Sequence, residues 1–92
     1  MPERQGQVTT ANATLYLNRL CKHFSHKIPA RWDDQQGELD FGIGRCRLSA
    51  RANELAIVCE AGDAAALQDI ADTVESHLAR FGTREALGLC WI

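Results

Sequence analysis

The side chains best equipped for chemistry gather in one stretch, Leu20 to Trp32 (LCKHFSHKIPARW). It holds two of the three histidines, His23 and His26, and three of the ten basic residues, Lys22, Lys27 and Arg31. Histidine changes charge near neutral pH, so it can pass protons, ligate a metal or, once protonated, hold an anion. Helical spacing sets Tyr16, His23 and Lys27 on one shoulder and Arg19, Lys22 and His26 on the face beside it. Three residues separate His23 from His26, roughly 60° around a helix, near enough to share a ligand or an anion. A metalloprotease helix spaces its histidines by four and carries a glutamate between them; this stretch does neither. Tyr16, Arg19, His23, His26 and Lys27 are therefore the candidate ligand-binding residues, and no catalytic residue, metal or cofactor is expected.

The elements that must position them follow from periodicity. Ala13, Leu17, Leu20, Cys21 and Phe24 recur at offsets of 4, 7, 8 and 11, which predicts an amphipathic helix with its apolar stripe toward a core. Asn12 stands where an N-cap belongs. Pro29 forces Ile28 into an extended conformation, so the helix is expected to stop around His26 or Lys27 and a strand over Ile28 to Asp33 to begin, at a sheet edge because of its proline. The basic last turn suits the negative end of the helix dipole, which gives these side chains a structural reading too: a solvated cationic helix end with His23 packed on Tyr16.

Length and composition bound the rest. The 92 residues read as a single domain, 1–92, with 46% hydrophobic and 24% charged residues, too short for a catalytic barrel or a dinucleotide-binding domain. No apolar h-region and no run of eighteen apolar residues occurs, so neither a signal peptide nor a membrane span is expected and the cytoplasm is the expected location. Cys21, Cys46, Cys59 and Cys90 form no C-x-x-C pair, and buried thiols are expected rather than zinc. The net charge of −2 is uneven, +3 over residues 1–51 and −5 over 52–92. That basic excess is small and lacks interleaved aromatics or a glycine-rich phosphate loop, which argues against nucleic acid.

In order, a short strand around Val8 precedes the first helix. Asp33 to Gly37 is a polar turn, and Glu38 to Phe41 then alternates Leu39 and Phe41 inward. Arg45 to Arg51 alternates Cys46, Leu48 and Ala50 inward. A turn centred on Ile43-Gly44 would set Asp40 opposite Arg47 and Leu39 opposite Leu48; one centred on Ala52-Asn53 sets Ala50 opposite Leu55, Leu48 opposite Ile57 and Cys46 opposite Cys59. Asp63 is the expected cap of a second helix whose stripe is Leu67, Ile70, Ala71, Val74, Leu78 and Phe81, closed by Gly82, with His77 on its shoulder. Leu87 to Ile92 is a final strand. The sum is an α+β fold ordered β-α-β-β-β-β-α-β, a curved, mostly antiparallel sheet with both helices on one face. Asp40, Arg45, Arg47, Arg51 and Val58 are expected on the other face.

Tyr16-Leu17, the H-F-x-H-K of His23 to Lys27, Pro29, the D-F-G of Asp40 to Gly42 and the H-L-x-R-F-G of His77 to Gly82 together resemble a bacterial family catalogued as domain of unknown function 2218. The resemblance spans nearly the whole chain. Related segments occur fused to flavin-dependent siderophore-interacting ferric reductases, so it implies a link to siderophore iron utilisation.

The expected function is a non-catalytic accessory module that binds an anionic small ligand or a siderophore-interacting reductase through His23, His26 and Lys27, flanked by Tyr16 and Arg19, as monomer or homodimer. One alternative is a small enzyme with His23 as acid or base beside Tyr16 or Lys27, although no nucleophile is evident. The other is a structural domain that dimerises through its open sheet face.

Overall fold

The computed structural model describes residues 2–81 and 89–92. Its strands are β1 (Glu3–Thr9), β2 (Ala30–Trp32), β3 (Gln36–Asp40), β4 (Gly44–Arg51), β5 (Glu54–Ala61) and β6 (Leu89–Trp91); its helices are α1 (Ala13–Phe24) and α2 (Ala64–Phe81). The strands form one sheet in the order β2-β3-β4-β5-β1-β6, and every neighbouring pair is antiparallel. The α+β class and the element order are those read from the sequence. β2 does take an edge, as its leading proline requires.

Period-two alternation makes one face of this sheet apolar. Val8, Leu39, Cys46, Leu48, Leu55, Ile57 and Cys59 point toward the helices and are buried, and Leu17, Leu20, Cys21, Phe24, Ile70, Val74 and Leu78 descend onto them. Each fully buried Leu or Ile contributes roughly 1.5–3 kcal/mol, so this two-layer core dominates stability. The opposite face carries Asp40, Arg45, Arg47 and Arg51, exposed, with Val58 half-buried among them.

The β4–β5 register is the expected one: Ala50 pairs Leu55, Leu48 pairs Ile57 and Cys46 pairs Cys59. The β3–β4 register is not. Asp40 faces Arg45, Leu39 faces Cys46 and Glu38 faces Arg47, a shift of two residues from the expected pairing. The turn centres on Gly42-Ile43: Phe41 N–H donates to the Gly44 carbonyl at 2.9 Å, and Gly42, at φ +82°, is the first central residue. Primed hairpin turns demand a positive φ there, which only glycine supplies without strain. Asp40 Oδ1 accepts the Gly42 N–H at 2.9 Å and fixes the turn further.

Helix boundaries also differ in detail. α1 ends at Phe24, earlier than His26 or Lys27, with Ser25 as its C-cap. The Phe24 carbonyl accepts the N–H groups of both Lys27 and Ile28 at 2.9 Å, and the Ser25 hydroxyl donates to the Lys22 carbonyl at 2.6 Å. Serine thereby competes with the helical ladder about one turn before the proline acts. Asn12 occupies the N-cap position without a side-chain cap bond; the Thr10 hydroxyl instead accepts the Asn12 N–H at 3.0 Å. Asp63 does cap α2, its Oδ1 accepting the Ala66 N–H at 2.8 Å. The Phe81 side chain, Gly82 and the first two residues of the expected last strand, Leu87 and Gly88, lie outside the described residues.

Candidate functional site

The early end of α1 changes what its histidines can do. His26 sits beyond the helix in the tight turn, so the helical angle that would place it beside His23 does not apply. His23 is still helical and half-buried, and it faces the other helix. Its ring lies 4.9 Å from that of His77, tilted by 49°, and meets Phe24 edge-on at 5.6 Å. Phe24 in turn stands 4.7 Å from His77 and 5.3 Å from Phe41, the latter edge-on. Late α1, late α2 and the start of the β3–β4 turn thus close on one aromatic cluster with two imidazoles in it.

Tyr16 is not part of this cluster. It is 6% exposed and belongs to the core, two turns before His23, whose ring contacts run to Phe24 and His77. The packing of His23 on Tyr16 expected from a 7-residue offset is therefore replaced by packing across the helix interface. Arg19, His26 and Lys27 are all exposed.

Burial against the neighbouring helix pushes the His23 imidazole below its ordinary value, and His77, Lys27, His26 and Arg80 add to the same displacement. The turn after α1 and the last turns of α2 thus both bring basic groups close to His23. His77 is oriented within its own helix: Nδ1 lies 2.7 Å from the Thr73 carbonyl, which can only accept, so Nδ1 carries the hydrogen. In that neutral tautomer Nε2 is an acceptor.

Among the described residues no group of three or more His, Cys, Asp or Glu side chains is arranged to hold a metal ion. Cys21 is buried, with its thiol pushed up to about 12 by burial, and Cys46 and Cys59 face each other in the core with sulfurs 3.8 Å apart. Cys90 is exposed on β6. No described helix is long and apolar enough to cross a membrane.

Residues 5–92 match the sequence pattern of the family described as an uncharacterized protein conserved in bacteria, domain of unknown function 2218. The chain belongs to this family. The NMR structure of PA4090 from Pseudomonas aeruginosa is similar over 100% of this chain and 96% of that one, at 32% identity and a TM-score of 0.84. No curated protein matches the chain. In this member of family 2218, two stretches that carry the resemblance, H-F-x-H-K and H-L-x-R-F-G, come together in space although more than fifty residues of sequence separate His23 from His77.

His77 and Arg80 are the residues that reasoning from helical faces missed. His77 lies four residues before Phe81 at the margin of the apolar stripe, where a histidine reads as a shoulder residue. The available signal was the shared histidine-phenylalanine content of the two stretches, which periodicity within either helix does not register.

Proposed function

We propose that the chain is a non-catalytic accessory module that captures an anion at the junction of α1 and α2, with His23 and His77 at its centre and His26, Lys27 and Arg80 as its cationic rim. The observation that supports this reading is the convergence of basic groups from the turn after α1 and from α2 on one half-buried imidazole. Side chains must supply the attraction, because the carbonyls at helix C-termini repel anions. Arg19 lies farther back on α1 and extends the cationic surface. Of the two partners the acid–base alternative offers, Tyr16 is buried in the core, which leaves it Lys27 alone.

From the resemblance to segments fused to siderophore-interacting ferric reductases, the ligand we propose is an anionic ferric siderophore or the acidic surface of such a reductase, and the location we propose is the cytoplasm. Inorganic phosphate is the probe for the site itself. In a two-dimensional NMR titration, phosphate should shift the amides and imidazoles around His23, His26, Lys27 and His77, more strongly at pH 5.5 than at pH 7.5. His26→Ala combined with Lys27→Ala should abolish those shifts and leave the melting temperature nearly unchanged, since exposed substitutions alter stability by less than about 0.5 kcal/mol. Equal shifts in the double variant would remove the binding function and leave the cluster a packing device.

A further inference from the structure

The sheet's outer face holds a depression that the helix junction does not explain. It has a volume of about 640 Å³, within the range of small-molecule sites. Its position follows from the register. Across the strands, Arg31 pairs Glu38, Glu38 pairs Arg47 and Arg47 pairs Val58, which builds a charged row ending in a valine. The next row is Gln36, Ser49, Ala56 and Gln7, whose two central side chains are small. Beyond it stands Arg51, about 13 Å from Arg47 along β4 by strand rise. Small residues between tall arginines leave a flat-floored trough.

The charges around this trough are almost all satisfied within the chain. Glu60 holds Arg47, Glu54 holds Arg51 at 3.7 Å, and Glu38 lies 3.9 Å from Arg45. Asp33 Oδ1 accepts the N–H groups of Gln35 and Gln36, each at 2.8 Å. Of the three arginines that line the trough, Arg47 and Arg51 are paired, and among the described residues Arg31 has no carboxylate in ion-pairing distance. The floor of Ala56 and Val58 is apolar and flat, and arginine planes such as those of Arg47 and Arg51 stack favourably on aromatic rings.

We propose that this trough is a second ligand site, taking a small arenecarboxylate whose ring lies on the Ser49, Ala56 and Val58 floor and whose carboxylate pairs with Arg31. An aliphatic anion would forgo the stacking, and a neutral arene would leave Arg31 unmatched. The site is independent of the helix junction, which lies on the other side of the sheet.

The test is a titration of the full chain with benzoate, benzyl alcohol and acetate, followed by backbone amide NMR. Benzoate should give saturable shifts at residues 47–51 and 56–58 with a Kd on the order of 1 mM, and the other two probes should bind at least about tenfold more weakly, the discrimination expected when one charge-assisted hydrogen bond or the stacking surface is lost. Arg31→Gln should weaken benzoate about tenfold, Ala56→Phe should abolish it by filling the floor, and Lys22→Gln, a charge removed from α1, should change nothing. Benzoate shifts confined to residues 23–27 and 77–80, absence of saturation, or an Arg31→Gln variant that binds as tightly as the parent would each overturn the proposal. Amide dispersion of both trough variants reports whether they fold, and Arg31→Gln, on an exposed edge, keeps the test decisive if Ala56→Phe does not.

Discussion

His23 of α1 and His77 of α2 place their rings 4.9 Å apart, tilted by 49°, across the helix interface. Every described charge acting on His23 opposes its protonation, as does its burial.

The sign of the resulting pH dependence is fixed. His23 binds its proton less readily in the folded chain than at its ordinary value of 6.5, so the unfolded chain binds more protons as pH falls through that value. Stability from this group is fully present above 6.5 and declines as pH falls toward the lower folded value. Urea midpoints measured between pH 7.5 and pH 5 should therefore drop, and His23→Gln should flatten the decline. A decline of unchanged steepness in His23→Gln would assign it to other groups. Bound phosphate should reverse the trend by favouring protonated His23, since a ligand that binds only the folded state stabilises it.

The four cysteines should divide sharply in reactivity. Cys90 is exposed, whereas Cys21, Cys46 and Cys59 are buried and Cys21 has its pKa raised by burial to about 12, far from thiolate formation at neutral pH. A thiol reagent should label one equivalent rapidly in the native chain and the remaining three only on unfolding, with Cys90→Ser removing the fast phase. Rapid labelling of Cys46 or Cys59 would contradict the register that sets their sulfurs 3.8 Å apart.

How far the sequence carried can be judged at three places. The β4–β5 pairing was legible because the inward set Cys46, Leu48, Ala50 matches Cys59, Ile57, Leu55 in only one register around Ala52-Asn53. The β3–β4 pairing was not, because Gly42-Ile43-Gly44 offers two glycines, and shifting the turn by one residue moves the partner by two, which leaves every side chain on its own face and the hydrophobic pattern undisturbed. Only the backbone requirement met by Gly42 decides between them. At the site, α1 and its cationic end were visible in spacing, but the juxtaposition of His23 with His77 is a tertiary fact. Helical faces show which side of each element is apolar; they do not show which points of two helices cross.

The cap of α2 offers a stability check with a local cause. Asp63→Ala removes the acceptor of the Ala66 N–H and a negative charge at the positive end of the helix dipole, and should cost about 1 kcal/mol. Asp63→Asn should recover most of that loss in chemical denaturation, because the amide oxygen can accept the same hydrogen bond. If asparagine is no better than alanine, the carboxylate acts through charge rather than through the cap bond.

Gly37 and Cys21 offer a sharper one. A Cβ at Gly37 would come within 2.7 Å of Cys21 Sγ, with Leu17 Cδ2 at 3.6 Å behind it, so α1 approaches β3 as closely as a missing side chain permits. Gly37→Ala should therefore destabilise the chain by roughly 1–3 kcal/mol through overpacking, despite alanine's restriction of the unfolded backbone working in the opposite direction. Cys21→Ala alone should also destabilise, by leaving a void where the sulfur was. Together the two changes exchange one volume for the other across the same contact, so the double variant should be more stable than the sum of the single losses by on the order of 1 kcal/mol. Additive losses in a double-mutant cycle would mean that β3 relieves the clash by moving away from α1, and that Gly37 is not what sets the distance between the sheet and the helix carrying His23.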